Sequence, residues 1–198
     1  DRNELLARAR TQIRRRRYTE QLRDNVQHSI EAAITDGLTG LHNRRYMESH
    51  LATLTEQAVS RSKPLALMIL DIDFFKSVND SHGHDAGDDV LREFATRIRK
   101  SIRGIDLACR YGGEEFVIVM PETDLAVAGM VAERIRRAIA SAPFSIQNGT
   151  KRLDVTISIG ISTLTNKSER VADVLKRADE ALYRAKRDGR NRVVSAAA

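Results

Sequence analysis

The amino-acid sequence predicts an α+β domain: a central mixed β-sheet surrounded by helices and preceded by an N-terminal helical linker. Three observations carry this expectation. The run LALMILDID is apolar on both alternating faces from Leu65 to Ile72, which is how a strand covered on two sides reads. Strand and helix periods then alternate in the order βαββαβ, with additions, which favours an antiparallel-containing sheet with helices packed against it. Residues 4–34 contain neither Gly nor Pro, so a long helix comes before the sheet.

That first helix places Leu22, Val26, Ile30 and Ala33 at spacings of three and four, an amphipathic pattern that needs a partner surface. Arg14 to Arg17 wrap every face of it and read as a solvated stretch. The helix stops near Asp36-Gly37, and DGLTGLHNRRYM forms an irregular joint before a second helix at about 44–60. After the apolar strand come a loop, FFKSVNDSHGHDAG, and a helix at about 87–102. Two strands flank Gly112-Gly113, and a helix follows at about 125–142. FSIQNGTKRLDVTISIGISTL reads as a hairpin with Asn148-Gly149 as its turn and Thr156 to Ser162 as its long second arm. A helix at 171–187 and a short strand at 192–195 complete the chain, with no repeat or low-complexity segment.

A length of 198 residues, 41% hydrophobic, suits one domain with a real core plus an appendage. Cys109 is the only cysteine, which excludes an intrachain disulfide; its apolar strand position implies a buried thiol and fits a reducing compartment. No apolar run approaches the roughly 20 residues of a membrane span, and DRNELLARAR lacks the apolar segment of a signal peptide. A cytoplasmic protein is therefore expected, and the missing initiator Met suggests a fragment. The formal net charge of +6 is uneven, since residues 1–35 hold eight Arg and no Lys against five acids. The remainder is too modestly charged, and at 5% aromatic too poor in stacking residues, to favour a nucleic-acid partner. A local need for cations, such as phosphates on a small molecule, fits better.

Carboxylates mark the place. Asp71 and Asp73 fall at the C-terminal end of the predicted central strand, on one face because strand side chains have period two. In RYGGEEFVIVM, two glycines and two glutamates sit between apolar runs. If that hairpin pairs beside the central strand, Asp71, Glu114 and Glu115 converge, and three ionised carboxylates need cations between them. Hard oxygen ligands suit Mg²⁺ or Mn²⁺. Glycines lack a Cβ, so they permit the turn and let backbone N–H groups approach a phosphate. Lys76 follows Asp71 by five residues, and Lys186 and Arg190 lie four apart at the end of the last helix, so cations can meet a triphosphate from two sides. Taken singly, each feature has a plainer reading: a polar strand end, an exposed hairpin, surface charges. Together they read as a metal–phosphate site.

The motifs DGLTGLHNRR, LDIDFFKSVNDSHGHDAGDDVL, RYGGEEF, ISIGIS and RADEALYRAKRDGRN together resemble the GGDEF domain of diguanylate cyclases. The resemblance covers roughly residues 35–195, and GGEEF is a form the motif takes in active members. ELLARARTQIRRRRY resembles the last helix of a receiver-type domain in PleD-type response regulators. Residues 1–35 are thus expected to be a helical linker, the end of such a receiver-type domain, and residues 36–198 the GGDEF catalytic domain. The resemblance implies a fold like the nucleotide-cyclase and polymerase palm. It also implies the condensation of two GTP into cyclic di-GMP with release of two pyrophosphates.

Carried over by position, Asp71, the Ile72 carbonyl and Glu114 resemble the ligands of two metal ions per active site, with Glu115 contributing nearby. Glu114 is also the candidate base, and a base and a metal ligand are not distinguished at this stage. Lys76 and the backbone of Phe74 and Phe75 would neutralise phosphate charge, next to Gly112 and Gly113. Asn79 and Asp88 match the guanine-binding positions, His84 a further substrate-side position, and Lys186 and Arg190 those contacting the β and γ phosphates. Without the resemblance, Asn79 reads as a turn cap and Asp88 as a first-turn helix acid. One site holds one GTP, so a catalytic homodimer is required, with the N-terminal helix the natural place to control it. RGID, Arg103 to Asp106, resembles the inhibitory product site at its usual offset before the glycines, with Arg134 as a second contributor. The plain alternative there is an i,i+3 ion pair. Two other readings remain: a catalytically silent GGDEF module binding GTP or cyclic di-GMP as an effector, and a nucleic-acid-binding regulator resting on the arginine-rich helix alone.

Overall fold

The structure is a computed structural model that describes residues 2–164 and 168–196. The chain divides into two units, Asp1–Thr35 and Asp36–Ala198. The first is a single helix, α1 (Arg2–Ile34), on which Tyr18, Leu22, Val26 and Ile30 are exposed.

The second unit runs β1 (His42–Asn43), α2 (Arg44–Arg61), β2 (Leu65–Ile72), α3 (Phe75–His82), α4 (His84–Ser101), β3 (Leu107–Arg110) and β4 (Glu115–Pro121). It continues with α5 (Leu125–Ala140), β5 (Phe144–Ile146), β6 (Lys151–Leu153), β7 (Ile157–Thr163), α6 (Val171–Arg187) and β8 (Val193–Ser195). Caps set the helix limits. Asn43 accepts the Tyr46 N–H at the start of α2, and Asp124 accepts that of Val127 at the start of α5. Ser62, in the left-handed region, closes α2 just ahead of Pro64.

Six strands form one mixed sheet in the order β1-β3-β4-β2-β7-β8. β2 lies inside it, antiparallel to both β4 and β7, and all eight of its residues are buried. Its two faces serve two cores. Ala66, Met68, Leu70 and Ile72 pack with α4 and α5 residues such as Phe94, Ile98 and Ile135, whereas Leu65, Leu67 and Ile69 pack with Met47, Leu51 and Leu182 from α2 and α6. A run apolar at every position from Leu65 to Leu70 follows directly from that double coverage. Among the described residues, no helix is long and apolar enough to cross a membrane. Cys109 is buried, and burial pushes its thiol up to about 12.

Two sequence expectations need correction. The loop after β2 contains α3, hidden because only Phe75 of its residues is buried while Ser77, Asn79, Asp80 and Ser81 look like loop composition. The long second arm of the predicted hairpin is not in a hairpin. Asn148 and Gly149, both at positive φ, close the short β5–β6 pair, while β7 aligns with β2 over Ala66↔Thr163 to Ile72↔Ile157. Alternation in ISIGIS was visible locally; the partner it takes was not, because β2 lies far away in the chain.

Candidate active site

Strand pairing brings the acidic motifs together. Asp71, near the end of β2, faces Glu115 on β4 and Ser158 on β7 across the ladder, and the Ile72 N–H donates to the Glu114 carbonyl at 3.3 Å. Asp71 is 5% exposed, and its carboxylate takes the Lys186 ammonium at 2.7 Å from the last turn of α6. Burial raises its pKa to about 6; Lys186 opposes that by hydrogen bond and charge, while the Glu114 and Glu115 carboxylates push it further up. Asp71 therefore feels the charge of both glutamates. No three His, Cys, Asp or Glu side chains close on one point among the described residues. Beside Asp71 the neutralising charge is Lys186.

The turn between β3 and β4 differs from its expected rationale. Neither Gly112 nor Gly113 adopts a positive φ, so the turn itself does not demand glycine. A Cβ on Gly113 would meet nothing within 4 Å, whereas one on Gly112 would stand 3.0 Å from Glu115 Oε2. The turn is braced from a side that sequence reasoning missed. Arg110 donates from Nε and Nη2 to the Gly113 carbonyl at 3.1 and 2.8 Å, and from Nη1 to both Asp36 oxygens. Burial alone would raise the Asp36 carboxyl, but Thr39 hydrogen bonds and the Arg110 charge hold it below the ordinary range. The "irregular joint" at DGLTG is thus a bracket for the glycine turn.

Beyond β2 the chain reverses through Phe74, whose φ of 57° is left-handed and whose ring is 64% exposed. Phe75 turns inward to the core and starts α3, with Lys76 exposed on its first turn. Asn79, half-buried, lies against α4 at Gly87; a Cβ there would collide with its Oδ1 and stand 3.1 Å from the Phe75 ring. Gly87 went unnoticed in the sequence because its value lies in a neighbour's position. His84 and Asp88, on the first turns of α4, line a cavity of about 620 Å³ with Arg92 and Asn148 among its other walls. Asn79 is not among the residues lining that cavity.

α6 ends at Arg187 with Asp188 as its C-cap, followed by Gly189, Arg190 and Asn191, all three at positive φ. The Arg190 guanidinium rests over the Phe74 ring at 4.5 Å, close to the chain reversal after β2. Lys186 and Arg190 therefore do approach the Asp71 end of the sheet. At the other end of α4, Arg103 donates to Asp106 at 2.9 Å, to the Pro121 carbonyl and to Thr123 Oγ1. Asp106 is 2% exposed and Arg103 49%. Arg134, on α5, donates to the Ser101 carbonyl at 2.6 Å, which places it beside the segment leading to Arg103.

Residues 33–192 match the family described as Diguanylate cyclase, GGDEF domain. The whole chain is 54% identical over 198 residues to Response regulator PleD of Caulobacter vibrioides, of which it covers 44%. The chain thus spans under half the length of that relative. Among solved structures, the coiled coil and GGDEF domain of DgcB from Caulobacter crescentus, in complex with c-di-GMP, superposes with a TM-score of 0.83 at 35% identity. That match covers 90% of this chain and 94% of the other. The active GGEEF domain of a diguanylate cyclase from Vibrio cholerae superposes with a TM-score of 0.73 at 37% identity, over 79% of this chain and 97% of that one.

Proposed function

The chain belongs to the GGDEF family of diguanylate cyclase domains, and from that premise we propose that it condenses two GTP into cyclic di-GMP and two pyrophosphates. One observation carries the reading. A buried acid, Asp71, stands at the end of the central strand within the field of Glu114 and Glu115, with Lys186 as its counter-charge. A scaffold has no need to bury an acid beside two others, whereas a site for cations and phosphates does.

Asp71, the Ile72 carbonyl and Glu114, with Glu115 nearby, would hold two Mg²⁺ or Mn²⁺ ions; this all-oxygen set fits a hard divalent cation, and the raised Asp71 pKa is the kind that such a charge relieves. When bound, the ions would offset phosphate charge and acidify the attacking 3′-hydroxyl. Glu114 takes the hydroxyl proton as the oxygen attacks the α-phosphate of the GTP held by a second copy of the domain, breaking the α–β phosphoanhydride bond and releasing pyrophosphate. Lys76 and the backbone of Phe74 and Phe75 neutralise charge that builds on the phosphates. Lys186 and Arg190 hold the β and γ phosphates; the four-carbon stem of Lys186 lets its ammonium turn to them once Asp71 is otherwise neutralised. Asn79 and Asp88 meet the guanine edge as donor and acceptor, with His84 at its side.

Two guanosines in the product require two domains face to face. Residues 1–35 serve as the helical linker that brings them together, and the exposed Leu22, Val26 and Ile30 of α1 suit a helix–helix contact. Arg103, Asp106 and Arg134 form the inhibitory site for cyclic di-GMP. Glu114→Gln tests the reading directly. Turnover should fall by about a thousandfold or more while GTP binding stays measurable, and wild-type turnover in the variant would remove Glu114 from the chemistry.

A further inference from the structure

Asp73, the second acid of LDID, has no part in the chemistry above, yet it is 6% exposed and fully engaged. Its Oδ1 accepts the Ser158 hydroxyl at 2.7 Å, and its Oδ2 accepts the Thr156 hydroxyl at 2.7 Å and the backbone N–H of Asn191 at 3.0 Å. The third bond crosses from the end of β2 to the loop behind α6. There Arg190 and Asn191 have φ of 63° and 43°; asparagine tolerates this left-handed region, but arginine holds it only where the surroundings impose it.

The surroundings can be named. The Arg190 N–H returns to the Ala185 carbonyl at 3.0 Å, and Arg136 of α5, itself held by Glu133, donates to Asn191 Oδ1 at 2.7 Å. Asp73 supplies the contact from beneath. With the peptide after Arg190 pinned in this way, its guanidinium is directed back over the Phe74 ring. The geometry points to Asp73 as a positioning residue: through the Asn191 N–H it fixes Arg190 for the terminal phosphates of GTP, without touching the nucleotide. This rests on the proposed function, which puts Arg190 at those phosphates.

The bonding chemistry separates two variants. Asp73→Ala removes the acceptor, and a backbone N–H has no other role to adopt. In Asp73→Asn the amide oxygen can still face Thr156 and Asn191, because the Ser158 hydroxyl is able to turn and accept from the new NH₂. Rescue by Asn is therefore expected.

The test is calorimetric titration, with Mg²⁺ present, of nucleotide-stripped protein by α,β-methylene-GTP and by GMP, which lacks the terminal phosphates. Asp73→Ala should weaken the triphosphate analogue about tenfold and GMP by less than about twofold. In an Arg190→Ala background it should add less than about twofold, and Asp73→Asn should retain most of the wild-type affinity. Equal losses for both ligands, or additive losses with Arg190→Ala, would overturn the inference. If Asp73→Ala does not fold, Arg136→Ala releases Asn191 from its other side and should weaken only the triphosphate analogue, by about threefold; unchanged affinity there counts against it equally. A wild-type protein that binds neither ligand would sink the proposed function instead.

Discussion

Gly160→Ala should damage this domain well beyond the addition of one methyl group. In β7 the isoleucines at 157, 159 and 161 face the α4–α5 core, which leaves Ser158, Gly160 and Ser162 toward α6. A Cβ on Gly160 would fall inside the Ala178 carbonyl oxygen and the Leu182 amide nitrogen and lie 2.9 Å from Leu182 Cα, where ordinary contact begins at 3.4 Å. All three are backbone atoms, so no rotamer relieves the clash and α6 must retreat by about 1 Å. Overpacking of this kind costs ~1–3 kcal/mol, and a rigid backbone neighbour puts Gly160 at the upper end, about 3 kcal/mol, or ~6–12 °C in Tm for a domain of this size. Since α6 carries Lys186, the same retreat draws its ammonium away from Asp71 and weakens GTP binding. Thermal unfolding by circular dichroism reads the first effect and titration with a GTP analogue the second. Gly129→Ala is the control, because nothing lies within 4 Å of that Cβ; removing a helix-interior glycine should stabilise by about 0.5–1 kcal/mol. A Gly160→Ala protein melting within about 2 °C of wild type would refute the steric argument.

Gly87→Ala should push Asn79 aside, raising the KM for GTP about tenfold without lowering Tm, as steady-state kinetics and melting will show together. Arg103→Ala should raise the product inhibition constant by at least about tenfold; an unchanged constant would leave Arg103 and Asp106 as a plain ion pair. Glu133→Gln tests pH linkage. Hydrogen bonds from Arg136, then from Arg137, hold the Glu133 carboxyl down at about 2, against the opposing effect of burial. A depressed folded pKa contributes stability above the unfolded value of 4.5 that is lost as pH falls through about 2. Solvent screens the one-third-exposed Glu133, so urea titration should find the variant less stable by only about 0.5–1 kcal/mol at pH 7, with the gap closing near pH 2.

What the sequence made legible was whatever a short window encodes. The doubly covered β2 could be placed to the residue because burial on both faces leaves an apolar residue at every position except Asp71. Asp71, Glu114, Glu115 and Lys186 could be grouped because ordered motifs carried them, and the pairing of β2 with β4 and the end of α6 does bring them near one another. What stayed hidden depends on partners distant in the chain. Nothing near Ile157 announces that β7 will pair with β2, and nothing near Asp36 announces that Arg110 will reach it. The glycines divide along the same line. Gly112 and Gly113 drew notice as a pair but have no positive φ, whereas Gly87 and Gly160 looked unremarkable and each have a neighbour standing where a Cβ would be. Asp73 was visible as the second acid of DxD, and only its contacts distinguish its work from that of Asp71.

The central claim is tested most directly on protein stripped of nucleotide with a phosphodiesterase. GTP and Mg²⁺ are added over a range of protein concentrations, and the products are separated by chromatography. The account predicts cyclic di-GMP and pyrophosphate, formed faster than in proportion to protein because two domains must meet. No cyclic di-GMP at any concentration, with GTP still bound, would contradict it and leave a nucleotide-binding module in its place.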